Sequence, residues 1–144
     1  MIKFPMYFKV EAKAAHGIAT NWSAKENHLA PIPSAIPPEF AGPGGGYSPE
    51  ALFGIALLNC LIATLKVYCE KSHVRFEEVL AEANVKVDKE SAATSFFISH
   101  VEIDIKVKGS SDIEKVTKLL DAAIKDCAIS NSIKSCKTFT KSVT

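Results

Sequence analysis

A chain of 144 residues, 47% hydrophobic and 23% charged, has the composition of one globular domain and enough length to bury a core without metals or disulfide staples. The formal net charge of +1 provides no basic stripe for nucleic acid. Disordered, fibrous and nucleic-acid-binding classes are set aside on these grounds, and residues 1–144 are expected to form a single domain.

The N-terminus, MIKFPMYFKVEAK, has no continuous apolar run, so no signal peptide is apparent and the cytoplasm is the expected compartment. In residues 6–14, Met6, Phe8, Val10 and Ala12 alternate with Lys9, Glu11 and Lys13, the period of a half-buried strand. After a turn at His16-Gly17, Ile18–Trp22 can return as a second strand. Five prolines and four glycines between Asn27 and Gly46 predict a long loop with no regular element.

Ser48-Pro49-Glu50 then carries helix-start chemistry: a capping hydroxyl, a proline where no N–H is needed, and an acid for the dipole. The helix is expected to reach about Lys71. Its stretch Ala51–Leu65 is apolar nearly all round, which predicts cover by protein on every side, with a second subunit a natural source. That stretch falls short of the roughly 20 residues that span a bilayer, so no membrane partner is expected.

Residues 77–88 and 97–108 alternate again and predict an antiparallel pair joined near Lys89–Ala93. Ser111 or Asp112 caps a second helix to about Asp126, with Ile113, Val116, Leu120, Ile124 and Cys127 on one stripe. Ser130 starts a short turn, and Cys136–Val143 can form a last strand. The class is α+β.

The four cysteines are spaced by 9, 58 and 9 residues, and CxxC and HxxxH pairs are both missing, so no metal or other cofactor is expected. A thiol in a leucine-rich helix, such as Cys60, is ordinarily a small core hydrophobe. Cys127, at a helix terminus, is more open to reaction. Cys69 lies nine residues after Cys60, on the opposite side of the helix, so the two cannot share a site. Cys69 and Cys136 are read as structural. His16, His28, His73 and His100 are scattered without the spacing of a catalytic pair, and the GPGGG glycines lack the strand and Gly-Lys-Ser/Thr of a phosphate loop.

The segment PPEFAGPGGGYSPEALFGIALLNC, with DCAISNSI 67 residues later, resembles the OsmC/Ohr family of osmotically inducible and organic-hydroperoxide-resistance proteins. There a Gly-rich stretch leads to Asn/Ser-Pro-Glu at the head of a buried central helix, a cysteine follows ten residues after the glutamate, and a second cysteine sits in a Cys-Pro-x-Ser-like turn near the end of the chain. Glu50, Cys60 and Cys127 occupy those positions; Ser130 matches and Ala128 replaces the proline. The resemblance implies an OsmC-like fold, antiparallel sheets around a buried central helix, in an intertwined homodimer. It implies a cysteine-based organic hydroperoxide reductase of the stress response. Cys60 would attack the peroxide, Cys127 would resolve the sulfenic acid to a disulfide, and a dithiol reductant would reopen it.

Glu50 and Cys60, ten residues apart, are separated by roughly 15 Å along one helix, so a Glu50 that acts as an orienting carboxylate does so from the partner subunit. One departure bears on activity. Family peroxidases pair this glutamate with an arginine from the N-terminal third, whereas the only arginine here is Arg75, and Glu39 stands in the loop where some relatives carry it. Lys9, Lys13, Lys25, His16 and His28 are the available cations, none with arginine's planar fork. A non-catalytic dimer binding an apolar small molecule, and a redox sensor, are the alternatives.

Overall fold

The computed structural model describes residues 2–92 and 94–144, which gather into two compact units, Met1–Leu52 and Phe53–Thr144. The first holds a three-stranded antiparallel sheet of β1 (Val10–Lys13), β2 (Trp22–Glu26) and β3 (Ile32–Ser34), in that order. Ala12 lies opposite Ala24, and Ala24 opposite Ile32.

Three expectations are corrected here. The strand sought over residues 6–14 is limited to Val10–Lys13, and its alternation is not one of burial, because every residue in it is exposed. The return strand starts at Trp22, where it was expected to end, since the Thr20 N–H to Gly17 carbonyl bond places Ile18 and Ala19 in a turn. The proline-rich loop contains β3 and a 3-10 turn at Pro38–Phe40. Pro33 is tolerated because β3 is an end strand of this sheet, meeting on its far side only the single bridge of Ser34 to Tyr47 among the described residues, so a missing N–H costs little.

Just before the helix, Ala35 N–H donates to the Tyr47 carbonyl and Tyr47 N–H to the Pro33 carbonyl, which fixes where the chain enters it. This crossing is close: a Cβ on Gly46 would lie 2.8 Å from the Ser34 backbone, so only glycine fits. Helix α1 then runs Pro49–Lys71, as its start chemistry predicts, and Ser48 Oγ accepts from Ala51 N–H at 3.1 Å.

The second unit is a helix-covered sheet. β4 (Glu78–Lys89) and β5 (Phe96–Lys108) form the expected antiparallel pair, with Ala83 opposite Ile103 and a register shift at Lys86/Val87. Ala93, in the connection expected between them, lies outside the described residues. α2 (Ile113–Asp126) is capped by Asp112, whose carboxylate accepts from Lys115 N–H at 2.9 Å. A short helix, α3 (Ala128–Ser132), follows with Cys127 as its cap, two residues earlier than the turn expected at Ser130.

β6 (Cys136–Val143) forms where predicted but pairs parallel to β5, so this sheet is mixed and not antiparallel throughout. The reason is topological: α2 and α3 are a crossover that returns the chain to the end of the sheet where β5 began.

The core of this unit joins Leu57, Leu61, Leu65 and Cys69 of α1 to Val101, Ile103, Ile105 and Val107 of β5 and Val116, Leu120, Ala123 and Cys127 of the α2 face. Each fully buried leucine contributes about 1.5–3 kcal/mol of transfer free energy. A Cβ on Gly54 would meet Val85 Cγ2 at 2.9 Å, so a glycine lets α1 approach β4. Within the chain α1 is covered on one stripe only, leaving Ile55 and Val67 exposed. At 23 residues, with an 18-residue stretch of mean hydropathy 1.9, it is also longer than the apolar stretch suggested and is long and apolar enough to cross a membrane, as the core helices of soluble proteins also are.

Candidate active site: a pair of thiols

α1 presents Cys60 one residue before the fully buried Leu61, so its thiol is half-buried at the edge of the core face. Cys127 comes to the same place from the other end of the unit. It ends the apolar stripe of α2, is completely buried, and takes an extended conformation (φ −62°, ψ 114°) that turns the chain into α3. The side chains of Cys60 and Cys127 lie close enough to shift one another's ionisation, so the fold brings together two sulfurs 67 positions apart in sequence.

Their surroundings differ in a way that separates their chemistry. Burial pushes the Cys60 thiol up, but this is outweighed by hydrogen bonds from the Cys127 thiol, the Ile129 and Ala128 N–H groups and the Thr64 hydroxyl, and its pKa falls below the ordinary value. Burial acts on Cys127 too, and there the Cys60 side chain adds to it. Ser130 and Ile129 N–H groups oppose both, and the thiol is pushed up to about 11. The result is an ionisable sulfur with a protonated donor beside it.

The donors come from local structure. Ser130 N–H points at Cys127 Sγ at 3.3 Å, a helix cap made by sulfur where serine or aspartate is usual. Thr64, one turn after Cys60, donates to the Cys60 carbonyl at 2.8 Å, which keeps its hydroxyl near the sulfur as the weakest of the groups that lower its pKa. Tyr68, one turn further, donates to the Asp126 carboxylate at 2.6 Å and so ties α1 to the residue before Cys127. Lys137, on β6, donates to the Ser130 carbonyl at the other end of the turn.

The remaining candidates lie elsewhere. Glu50 occupies the first turn of α1, and its Oε2 is buried without a hydrogen-bond partner among the described residues. Cys69 packs in the core, and burial raises its pKa, as befits an inert thiol. Cys136 is exposed at the start of β6. Arg75 is exposed in the turn before β4, its backbone paired with Ser111. No group of His, Cys, Asp and Glu among the described residues could hold a metal ion.

Sequence reasoning reached the two sulfurs but missed Thr64, Tyr68 and the backbone donors of residues 128–130. Thr64 had a signal, a hydroxyl four residues after Cys60 in an apolar helix. The backbone donors had none, because every residue except proline carries an N–H.

Comparison with known proteins gives the chain its family. The family described as OsmC-like protein matches residues 42–141. YmaD of Bacillus subtilis (strain 168), an uncharacterised protein, is 29% identical over 126 residues, covering 81% of this chain and 84% of its own. An OsmC-like protein of unknown function from Vibrio cholerae shares the fold at a TM-score of 0.80, with 15% identity over 96% of this chain and all of its own. So do the organic hydroperoxide resistance protein OsmC of Legionella pneumophila, at 0.74 with 20% identity over 99% of both chains, and OhrB of Bacillus subtilis, at 0.67 with 21% identity over 96% and 98%. Matched over 100 of its 144 residues and alike in fold to these proteins from end to end, the chain belongs to the OsmC-like family.

Proposed function

We propose that the chain reduces organic hydroperoxides through a Cys60/Cys127 disulfide cycle, working as a homodimer in a reducing compartment such as the cytoplasm. The observation that carries this reading is the contact between two thiols shifted in opposite directions. The Cys60 thiolate attacks the terminal peroxide oxygen and the O–O bond breaks; the alkoxide takes a proton and leaves as the alcohol, with Cys60 as the sulfenic acid. Cys127 then attacks the Cys60 sulfur, its thiol proton leaves with the hydroxide as water, and the S–S bond forms. A dithiol reductant restores both thiols and is itself oxidised to a disulfide.

Cys127, protonated at neutral pH, serves first as hydrogen-bond donor and then as resolving thiol. The names of the Legionella pneumophila protein and of OhrB support the substrate class. The uncovered apolar surface of α1, and Phe4, Tyr7, Phe8 and Val10 in the first unit, support a partner of the same kind. A group from that partner would meet Glu50 Oε2, making Glu50 an orienting carboxylate across the interface.

The test is consumption of cumene hydroperoxide by the full chain with a dithiol reductant. Rapid turnover, its loss in Cys60→Ser, a Cys60–Cys127 bridge in the quenched protein, and sedimentation at twice 15.5 kDa are expected. Turnover that survives Cys60→Ser would refute the assignment. One observation favours a redox sensor as the second reading: among the described residues, the groups that lower the Cys60 pKa include no cation. A bridge that forms once per chain without turnover would support it.

A further inference from the structure

Strand period two places Lys137 on the same face of β6 as Phe139 and Val143, which pack against the core, so a cation stands where the pattern calls for an apolar side chain. Lys141 breaks the pattern as well, but it pairs with the Asp121 carboxylate of α2. Among the described residues, the partners of the Lys137 ammonium are carbonyls and include no acid. Half-buried, it donates to the Ser130 carbonyl, with a longer contact of 3.5 Å to the Ile133 carbonyl. A residue that breaks a local rule without an ion pair to compensate is a candidate for a functional role.

We infer that Lys137 is a positioning residue for the thiol pair: by gripping the carbonyl end of the Ala128–Ser132 turn, it holds the opposite end, with its N–H groups, against the two sulfurs. Ser130 shows the linkage within one residue, since its N–H donates to Cys127 Sγ while its carbonyl accepts from Lys137. The turn's other polar ties are local: Asn131 N–H to the Cys127 carbonyl, Asn131 Nδ2 to the Lys125 carbonyl, and Ser132 Oγ to the Ala128 carbonyl. These keep the turn's shape. Lys137 reaches it from β6, a different element, and so bears on where the turn sits relative to the sheet and to Cys60.

Among the described residues, the polar side chains that tie the elements around the pair are the Thr64 hydroxyl and Tyr68 of α1, the latter bonded to Asp126 of α2, and Lys137 of β6 on the Ser130 carbonyl. The inference rests on the peroxidase reading only for the use made of the thiolate.

The experiment follows the pH dependence of Cys60 alkylation by iodoacetamide in the intact chain, read peptide by peptide by mass spectrometry so that Cys69 and Cys136 do not contribute. Loss of one hydrogen bond to a charged sulfur predicts alkylation about threefold slower or more at neutral pH in Lys137→Met, with the profile moved to higher pH. Lys137→Arg should restore the wild-type profile. Lys137→Gln, which is neutral but still donates to a carbonyl, should stay close to it.

A Lys137→Met profile that superimposes on wild type overturns the inference. So does equal loss in Met and Gln variants, which would mean that charge alone matters. If Lys137→Met does not fold, the Gln variant decides: a profile near wild type supports the inference, and one shifted to higher pH overturns it. Failure of the wild-type chain to turn over hydroperoxide would defeat the peroxidase reading while leaving the alkylation profiles to judge Lys137.

Discussion

Replacing Cys127 by alanine and, separately, by serine isolates what the neighbouring thiol does for Cys60. In the folded chain Cys127 lowers the pKa of the Cys60 thiol by hydrogen bonding, along with Ile129 N–H and Ala128 N–H, and the nearby Thr64 hydroxyl adds the least. A hydrogen bond to a charged acceptor is worth about 1.5–3 kcal/mol, and the low end applies because Cys60 is partly open to solvent. Loss of about 1.5 kcal/mol lowers the thiolate proportion roughly tenfold. The remaining thiolate is more basic and intrinsically more nucleophilic, with a Brønsted coefficient of roughly 0.5, which recovers about half of the loss on a logarithmic scale.

The net expectation for Cys127→Ala is Cys60 alkylation about threefold slower at neutral pH. Cys127→Ser keeps a hydroxyl donor in the same place and should hold the wild-type rate, although neither variant can form the bridge. Stopped-flow or timed alkylation across pH 5 to 10 (a range chosen to bracket the ordinary thiol value) measures both. Alanine and serine variants with the same profile as wild type would show that the S–H donor contributes nothing to the thiolate.

Three further outcomes follow from the same geometry. Ala128→Pro removes one N–H donor from Cys60 at little structural cost, because Ala128 is the first residue of α3 and Cys127 already has the extended conformation a following proline requires; Cys60 alkylation should slow by a few-fold while the circular dichroism spectrum is retained. Leu61→Ala opens a cavity beneath the site, since Leu61 is 1% exposed, and denaturant unfolding at fixed protein concentration should show a loss of about 2–5 kcal/mol. The Cys127 thiol is raised from 9.0 to about 11, so its contribution is fully present below pH 9 and is lost as pH rises through 11. Melting temperatures over that window should fall further for a Cys60→Ser chain than for one that also carries Cys127→Ala; parallel curves would contradict the shift.

The second unit was largely legible because its alternation is one of burial. Val101, Ile103, Ile105 and Val107 are buried while Glu102, Lys106 and Lys108 are exposed, so the period states the structure directly. Ser48 and Asp112 were legible because side-chain caps are written in residue type. The first unit was not: residues such as Phe8 and Val10 alternate in sequence yet are all exposed within the chain, so the pattern carried no boundary.

The parallel pairing of β6 was hidden for another reason, as strand direction depends on the crossover and not on the strand's own residues. At the site, Cys60, Cys127 and Glu50 were named through resemblance to a family, and the contact between the two sulfurs could not have come from periodicity. Beyond Cys127, what lowers the Cys60 pKa is backbone and a single hydroxyl. Lys137 left a trace, a charge on a core-facing position, whose meaning depended on a turn seven residues earlier.

The sulfur pair also links the central helix to the crossover between β5 and β6. A covalent bond at that point would close a loop of roughly 70 residues, a restraint worth about 4 kcal/mol in the chain-entropy description. Oxidised and reduced chains would then differ in durability as well as in reactivity. A molecule waiting for its reductant would resist proteases and heat better than one that is ready to act, so an oxidised pool could outlast the conditions that produced it.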